Sequence, residues 1–212
     1  INDGTVDVTD TFTITVANTN DAPTFTSTAV TAVDEDAAYS YTAAASDDDG
    51  DAVTLVGTTI PAWMTFDATT GALTGAPTNA EVGSHAVVIT ATDTNSASTT
   101  DSFTVVVANT NDAPTIASAL SDATIAEDSA YSLDVSGMCS DVDVGDTLTY
   151  TISGNPSTLT IASGIISGTP LQADIGSHAI TVVCTDSGSA SASDSFTLFV
   201  TNVNDAPDFT ST

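Results

Sequence analysis

One phrase occurs three times in this chain: Asn18-Thr-Asn-Asp-Ala-Pro-Thr-Phe25, Asn109-Thr-Asn-Asp-Ala-Pro-Thr-Ile116 and Asn202-Val-Asn-Asp-Ala-Pro-Asp-Phe209. The copies begin 91 and 93 residues apart. That period is far too long for a solenoid turn and matches a whole small domain, repeated in line. Each copy sets oxygen-bearing side chains just before a proline, where the chain is held extended. Oxygen ligands on a stiff segment between domains suit a hard cation, above all Ca²⁺.

The repeat fixes an expected organisation. Asp10-Thr-Phe-Thr-Ile-Thr-Val16 parallels Asp101-Ser-Phe-Thr-Val-Val-Val107 and Asp194-Ser-Phe-Thr-Leu-Phe-Val200. Residues 1–17 therefore read as the C-terminal strands of a preceding repeat. Whole repeats follow at 22–109 and 113–202, and 208–212 reads as the start of another. The expected parent is a longer array of which this chain is an excerpt.

Within each repeat the apolar residues alternate. Phe103, Val105 and Val107 share one face of a strand, as do His85, Val87, Ile89 and Ala91, and in the second repeat Phe196, Leu198 and Val200. Thr, Val, Ser, Ala and Gly dominate, no long amphipathic helix is legible, and turn residues punctuate the pattern. About seven short strands in some 90 residues predict an all-β fold of tandem antiparallel β-sandwiches.

Charge narrows the possible partners. The 212 residues hold 28 Asp plus Glu and no Lys or Arg, a formal charge of −28. Phosphate recognition rests on Lys and Arg, so nucleic acid is excluded as a partner, and anionic membrane surfaces on the same grounds. No apolar stretch is long enough to cross a bilayer as a helix, so no membrane insertion is expected in this segment. The carboxylates can be neutralised only by His85, His178 or cations from solution. Both histidines open a strand at equivalent places and read as packed or surface residues. With no basic side chain and no nucleophile–base pairing, catalysis has no support and the chain reads as a non-enzyme.

These motifs resemble a known family. The Asn-x-Asn-Asp-Ala-Pro phrase, the run Asp47-Asp-Asp-Gly-Asp51, Pro61-Ala-Trp-Met-Thr-Phe-Asp67 and Ala91-Thr-Asp93 are similar to cadherin-like repeats, particularly the dystroglycan-type cadherin-like domains of bacterial surface proteins. The resemblance implies cadherin/Ig-like sandwiches in a linear array, an extracellular or bacterial cell-surface location, and Ca²⁺ bound at domain junctions. At the first junction it assigns Asn18, Asn20, Asp21, Asp47, Asp49 and Asp93. At the middle one it assigns Glu35, Asn79 and Glu81 from the first repeat, Asn109, Asn111 and Asp112 from the linker, and Asp141, Asp143 and Asp186 from the second repeat. At the third it assigns Glu127, Asp174, Asn202, Asn204 and Asp205. The linker departs from the cadherin pattern, because Asn109 stands for an Asp and Ala113 follows Asp112 directly. Fewer ions per junction than in cadherins are therefore expected. Asp51, Asp67 and Asp146 read equally well as turn residues.

The cysteines form a paired difference between repeats. Aligning Ser140-Asp141 with Ser46-Asp47 sets Cys139 opposite Ala45, and aligning Thr185-Asp186 with Thr92-Asp93 sets Cys184 opposite Ala91. The joint change favours a disulfide and an oxidising compartment over two buried thiols. Trp63 reads as a core anchor without a counterpart in the second repeat. The leading expectation is a calcium-stiffened repeat of an extracellular fibre, stalk or adhesin. Its neighbours would be repeats of the same or an identical chain, with a surface glycan or cell-surface ligand as a further partner. The alternatives are a carbohydrate- or protein-binding module and the non-catalytic spacer of a large secreted enzyme.

Overall fold

Alternation of apolar and hydroxyl side chains makes nearly every ordered segment a strand, because residues two apart point to the same face. The structure, a computed structural model, describes residues 4–5 and 9–206. The chain divides into domain 1, residues 1–108, and domain 2, residues 109–212.

Domain 1 contains β1 (Thr24–Phe25), β2 (Ala32–Asp34), β3 (Tyr39–Thr42), β4 (Ala45–Ser46), β5 (Thr54–Thr59), β6 (Met64–Asp67), β7 (Ala72–Gly75), β8 (Gly83–Thr92) and β9 (Ser98–Ala108). The sheet orders are β2-β9-β8-β5, β3-β7-β6 and β1-β4. The opening strand is broken into β1 and β2, and the next into β3 and β4. The seven strands expected from the sequence thus appear as nine segments among the described residues. One pairing is parallel: β2 runs alongside β9, with Val33 opposite Val107. The remaining pairings of domain 1 are antiparallel.

Domain 2 repeats this plan with β10 (Thr115–Ile116), β11 (Ala123–Ala126), β12 (Tyr131–Asp134), β13 (Cys139–Ser140), β14 (Thr149–Ser153), β15 (Leu159–Ala162), β16 (Ile165–Gly168), β17 (Gly176–Thr185) and β18 (Ser191–Thr201). Its sheets are β11-β18-β17-β14, β12-β16-β15 and β10-β13. Register is kept as well as order: Gly83 pairs Val107 and Thr92 pairs Ser98, just as Gly176 pairs Val200 and Thr185 pairs Ser191.

Each core lies between the two larger sheets. In domain 1, Leu73 of the three-stranded sheet packs with Val87, Ile89 and Val105 of the four-stranded sheet. In domain 2, Leu159 and Ile166 meet Ile180, Val182, Phe196 and Leu198. Burying side chains of this size stabilises by roughly 1.5–3 kcal/mol each. Trp63 joins the first core partly buried, its ring 6.0 Å from Tyr39 and 5.7 Å from His85, both edge to face. Gly75 makes room for it, since a Cβ there would come within 2.8 Å of the indole.

The segment 9–17, expected to be a strand, forms no ladder, and Phe12, Ile14 and Val16 are exposed. The corresponding place in each domain is already taken by its own last strand, β9 or β18. Residues 208–212, expected to open a further repeat, lie outside the described residues, as do 1–3 and 6–8.

Candidate metal centres

An Asp followed by closely spaced polar residues folds its carboxylate back onto the backbone, and this builds the first acidic loop of domain 1. Asp47 Oδ1 accepts the N–H groups of Asp49, at 2.9 Å, and Asp51, at 3.4 Å. Gly50 sits at φ +79°, the left-handed region the turn needs and glycine enters without strain. The turn gathers Asp47, Asp49 and Asp51 so that one carboxylate oxygen of each lies within 4.8 Å of the others. The second oxygen of Asp47 is buried without a hydrogen-bond partner.

The segment before Pro23 docks on this loop. Asn18 Nδ2 donates to Asp49 at 2.6 Å, and the Asp21 N–H donates to its other oxygen at 2.7 Å. The Asp21 N–H and the Asn18 amide hold the Asp49 carboxyl below the usual carboxylate range. Asp93 directly follows β8 and accepts the N–H groups of Asn95 and Ala97 on one oxygen. Asn20 donates to its other oxygen at 2.8 Å and is the main reason the Asp93 carboxyl is held low. Five of the six residues expected here, Asn18, Asn20, Asp49, Asp21 and Asp93, are thus joined by direct hydrogen bonds. Asp47 joins through its own loop. Asn95, which sequence reasoning passed over, bonds Asn20 and Asp51 at 2.6 and 2.7 Å.

Domain 2 builds the equivalent group from its own residues. Asp141 Oδ1 accepts the Asp143 N–H at 2.9 Å, and Asp143 accepts the Asp112 N–H at 2.8 Å. Asn111 donates to Asp186 at 2.9 Å, while the other Asp186 oxygen accepts the Ala190 N–H. Asp141, Asp143 and Asp146 bring oxygens within 4.8 Å of one another, and Asp141 and Asp146 each keep a buried oxygen without a hydrogen-bond partner. Asp146 also accepts the Ser187 hydroxyl. Asp51 and Asp146 therefore stand inside the acidic groups. Asp67 is a turn residue, accepting Thr69 N–H and the Thr70 hydroxyl. Asn109 is exposed.

The remaining expected residues fall at the opposite end of their domains. Glu35 and Glu127 follow the opening strands β2 and β11 and are almost wholly buried, Glu127 at 1% exposure. The next residues, Asp36 and Asp128, donate backbone N–H groups to Pro77 and Pro170, tying each turn to the 3-10 turn that carries Asn79 and Glu81 or Asp174. Glu127 accepts the Val203 N–H at 2.7 Å on one oxygen, and its other oxygen is buried without a partner. Glu81 accepts the Thr78 hydroxyl and N–H, and Asp174 accepts the Leu171 N–H and the Thr158 hydroxyl; each set of donors lowers its carboxyl. Asn202, Asn204 and Asp205 are exposed.

The buried acids make a single chemical statement. Among the described residues the buried charged groups are Glu35, Asp93, Glu127, Asp143, Asp174 and Asp186, all of them positions singled out by the repeat motifs. An ionised carboxylate removed from water is costly unless paired, and this chain has no Lys or Arg to pair with it. A hard cation taking six to eight oxygens fits the unpartnered oxygens of Asp47, Glu127, Asp141 and Asp146.

The cysteine expectation is met directly. Cys139 and Cys184 form a disulfide with Cα atoms 6.6 Å apart, joining β13 to β17. Two buried free thiols, the competing reading, are ruled out.

With fold and site described, the class of protein is defined: tandem Ig-like sandwiches of cadherin type. The family profile described as "Putative Ig domain" matches residues 22–108 and again 113–201, and the chain belongs to that family. It is 32% identical over 154 residues to the "Serine-rich adhesin for platelets" of Staphylococcus aureus strain MRSA252, a stretch covering 70% of this chain and 11% of the adhesin. The same protein of strain MSSA476 matches at 32%, over 6% of its length. The chain thus spans about a tenth or less of these relatives. Among solved structures, the Protocadherin Gamma B2 extracellular cadherin domains 1-5 superpose with TM-score 0.62 at 19% identity, covering 86% of this chain and 40% of that one. Human Mucin-like Protocadherin EC1-2 superposes with TM-score 0.61 at 16% identity, covering 85% and 98%. These likenesses establish the sandwich fold.

Proposed function

We propose that this chain is a non-catalytic segment of an extracellular, surface-displayed adhesin, stalk or fibre, in which Ca²⁺ at the domain junctions stiffens a row of sandwiches. The observation that carries the metal is Glu127: a carboxylate buried to 1% exposure, one oxygen without a partner, in a chain with no basic residue. Glu127, with Asn202, Asn204 and Asp205 after it and Asp174 beside it, would hold one ion. Glu35, Asn79 and Glu81 would serve likewise at domain 1. Asn18, Asn20, Asp21, Asp47, Asp49 and Asp93 would be ligands from the leading side of domain 1. Asn109, Asn111, Asp112, Asp141, Asp143 and Asp186 would be their counterparts in domain 2. The bound cation supplies charge: carboxylates that repel one another become jointly attracted to it. The adhesive role follows the relatives named above, with neighbouring repeats and a cell-surface glycan or protein as partners.

Calorimetry of the full chain tests the metal. Extracellular Ca²⁺ modules bind at about 10⁻⁴ M, so 1 mM free ion contributes roughly 1.4 kcal/mol per site. Chelation should lower the melting temperature and broaden the interdomain angles seen by small-angle scattering. Mg²⁺, which demands tighter octahedral geometry, should restore little. Glu127→Gln should abolish part of the Ca²⁺ effect on domain 2. Melting and scattering indifferent to chelator at low salt would overturn the mechanism.

A further inference from the structure

Three departures of domain 2 from domain 1 fall at one place. The β15–β16 hairpin turns through Ser163 and Gly164 alone, whereas the equivalent β6–β7 connection uses residues 68–71. Both turn residues have positive φ, +49° and +75°, the signature of the tight two-residue hairpin. The loop between β12 and β13 runs through residues 135–138, against only Ala43 and Ala44 between β3 and β4, so that Ser136 and Gly137 are an insertion. Tyr150 on the edge strand β14 replaces Leu55, since each pairs with the equivalent residue of its neighbour, Cys184 or Ala91.

Together these changes open a cleft. In domain 1 Leu55 reaches toward Gly71, its Cδ1 3.3 Å from where a Cβ would stand, which fills the corner. In domain 2 the Tyr150 ring packs half-buried against the edge of the core, and its hydroxyl donates to the Ser136 carbonyl at 2.7 Å. Gly164 lets the inserted loop approach, for a Cβ there would meet Ser136 Cβ at 2.9 Å. The result is a cleft of about 610 Å³ lined by Ser136, Leu148, Thr149, Tyr150, Ser163 and Gly164. Ser136 also lines a second cleft of about 380 Å³, with Asp134 in its wall.

We propose that this cleft binds a neutral saccharide. Its volume is in the range of small-molecule sites, and its wall combines one anchored aromatic ring with several hydroxyl groups and no charge. Sugars present the same mixture of an apolar ring face and a rim of hydroxyl donors and acceptors. Anionic ligands are repelled by a chain of net charge −28, and cations are drawn to the denser carboxylate groups at the ends of the domains. The inference is independent of the metal reading, because no proposed Ca²⁺ ligand lines the cleft.

The test is amide NMR of the full chain titrated with galactose and N-acetylglucosamine, with N-acetylneuraminic acid as the charged comparison. Shifts are expected at residues 136, 149, 150, 163 and 164 and not at residues 54, 55, 70 and 71 of domain 1. Tyr150→Leu, which installs the domain 1 residue, should weaken binding about tenfold, equivalent to about 1.4 kcal/mol. Tyr150→Phe keeps the ring and should weaken it less, and it carries the test if the leucine variant melts early. Three results would each overturn the proposal: no shift with either neutral sugar, equal affinity for the acidic one, or affinity unchanged by both substitutions.

Discussion

The two domains share strand order and, apart from a shift at Gly57/Thr59 between β5 and β8, register as well, yet each closes its sandwich by different means. Domain 1 uses an aromatic cluster, in which Trp63 lies over Gly75 between Tyr39 and His85. Domain 2 puts Thr158 at the Trp63 position and Tyr131 at the Tyr39 position, as the pairings with Gly75 and Gly168 show. It is closed instead by the Cys139–Cys184 bridge. The change propagates to the acids: Thr158 donates to Asp174 at 2.8 Å, whereas the equivalent Glu81 is held only from Thr78. The comparison teaches that the backbone plan depends on alternation and register, while the staple is interchangeable, and that the residue at the Trp63 position decides which element a nearby carboxylate is tied to.

The disulfide is the largest lever on that contrast. It closes a loop spanning 45 residues of separation, which the chain-entropy model values at roughly 4 kcal/mol. Replacing both cysteines by alanine gives domain 2 the domain 1 residues, and differential scanning calorimetry should show its transition falling while that of domain 1 stays in place. Equal losses in both transitions would mean that the domains do not melt separately and would break the comparison.

Next in size is Trp63→Thr, the reciprocal swap. A fully buried Trp→Ala change costs about 3–5 kcal/mol; Trp63 is partly buried, so about 2 kcal/mol is expected, confined to domain 1. The loss is tempered because the indole N–H is buried without a hydrogen-bond partner and its removal relieves that burden. Adding Glu81→Asp should recover part of it if the Thr158–Asp174 contact is portable. No recovery would show that the contact needs the rest of domain 2.

Much of this was legible in the sequence for a physical reason. Alternation at His85–Ala91 and Phe196–Val200 determines which face is buried, so the all-β sandwich follows from period two alone. The disulfide followed from two joint Ala-to-Cys differences between otherwise matching repeats. The acids that prove buried were all found through motif position. What stayed hidden depends on loop geometry. Asp51 enters the first acidic group through the Asp47 loop and Asn95 through the Asp93–Ala97 turn, and neither turn's shape is specified by its string of residues. The parallel β2–β9 pairing and the break in the opening strand depend on tertiary contacts. The segment 10–16 carries a strand's pattern, and the place that pattern marks in each domain is already filled by β9 or β18.

The smallest expected effect concerns the hairpin loops. The longer β6–β7 loop of domain 1 is held by Asp67, whose carboxylate accepts Thr69 N–H at 2.9 Å and the Thr70 hydroxyl at 2.8 Å. The two-residue turn of domain 2 needs no such brace. The Thr69 N–H, then the Thr70 hydroxyl, hold the Asp67 carboxyl below its ordinary value. The fold therefore favours the ionised form. The stabilisation is complete above the ordinary carboxylate range, about pH 4, and is lost as pH falls through the lowered folded value. Asp67→Asn should lower the domain 1 melting temperature slightly at neutral pH, and the gap from the parent should close on acidification, while the substitution leaves the domain 2 transition where it stands in the parent at each pH. Calorimetry across pH in chelator reads both transitions, so the metal sites do not contribute. A gap that persists unchanged at low pH would mean that Asp67 acts through shape and not through charge, and the loop difference between the domains would then be one of length alone.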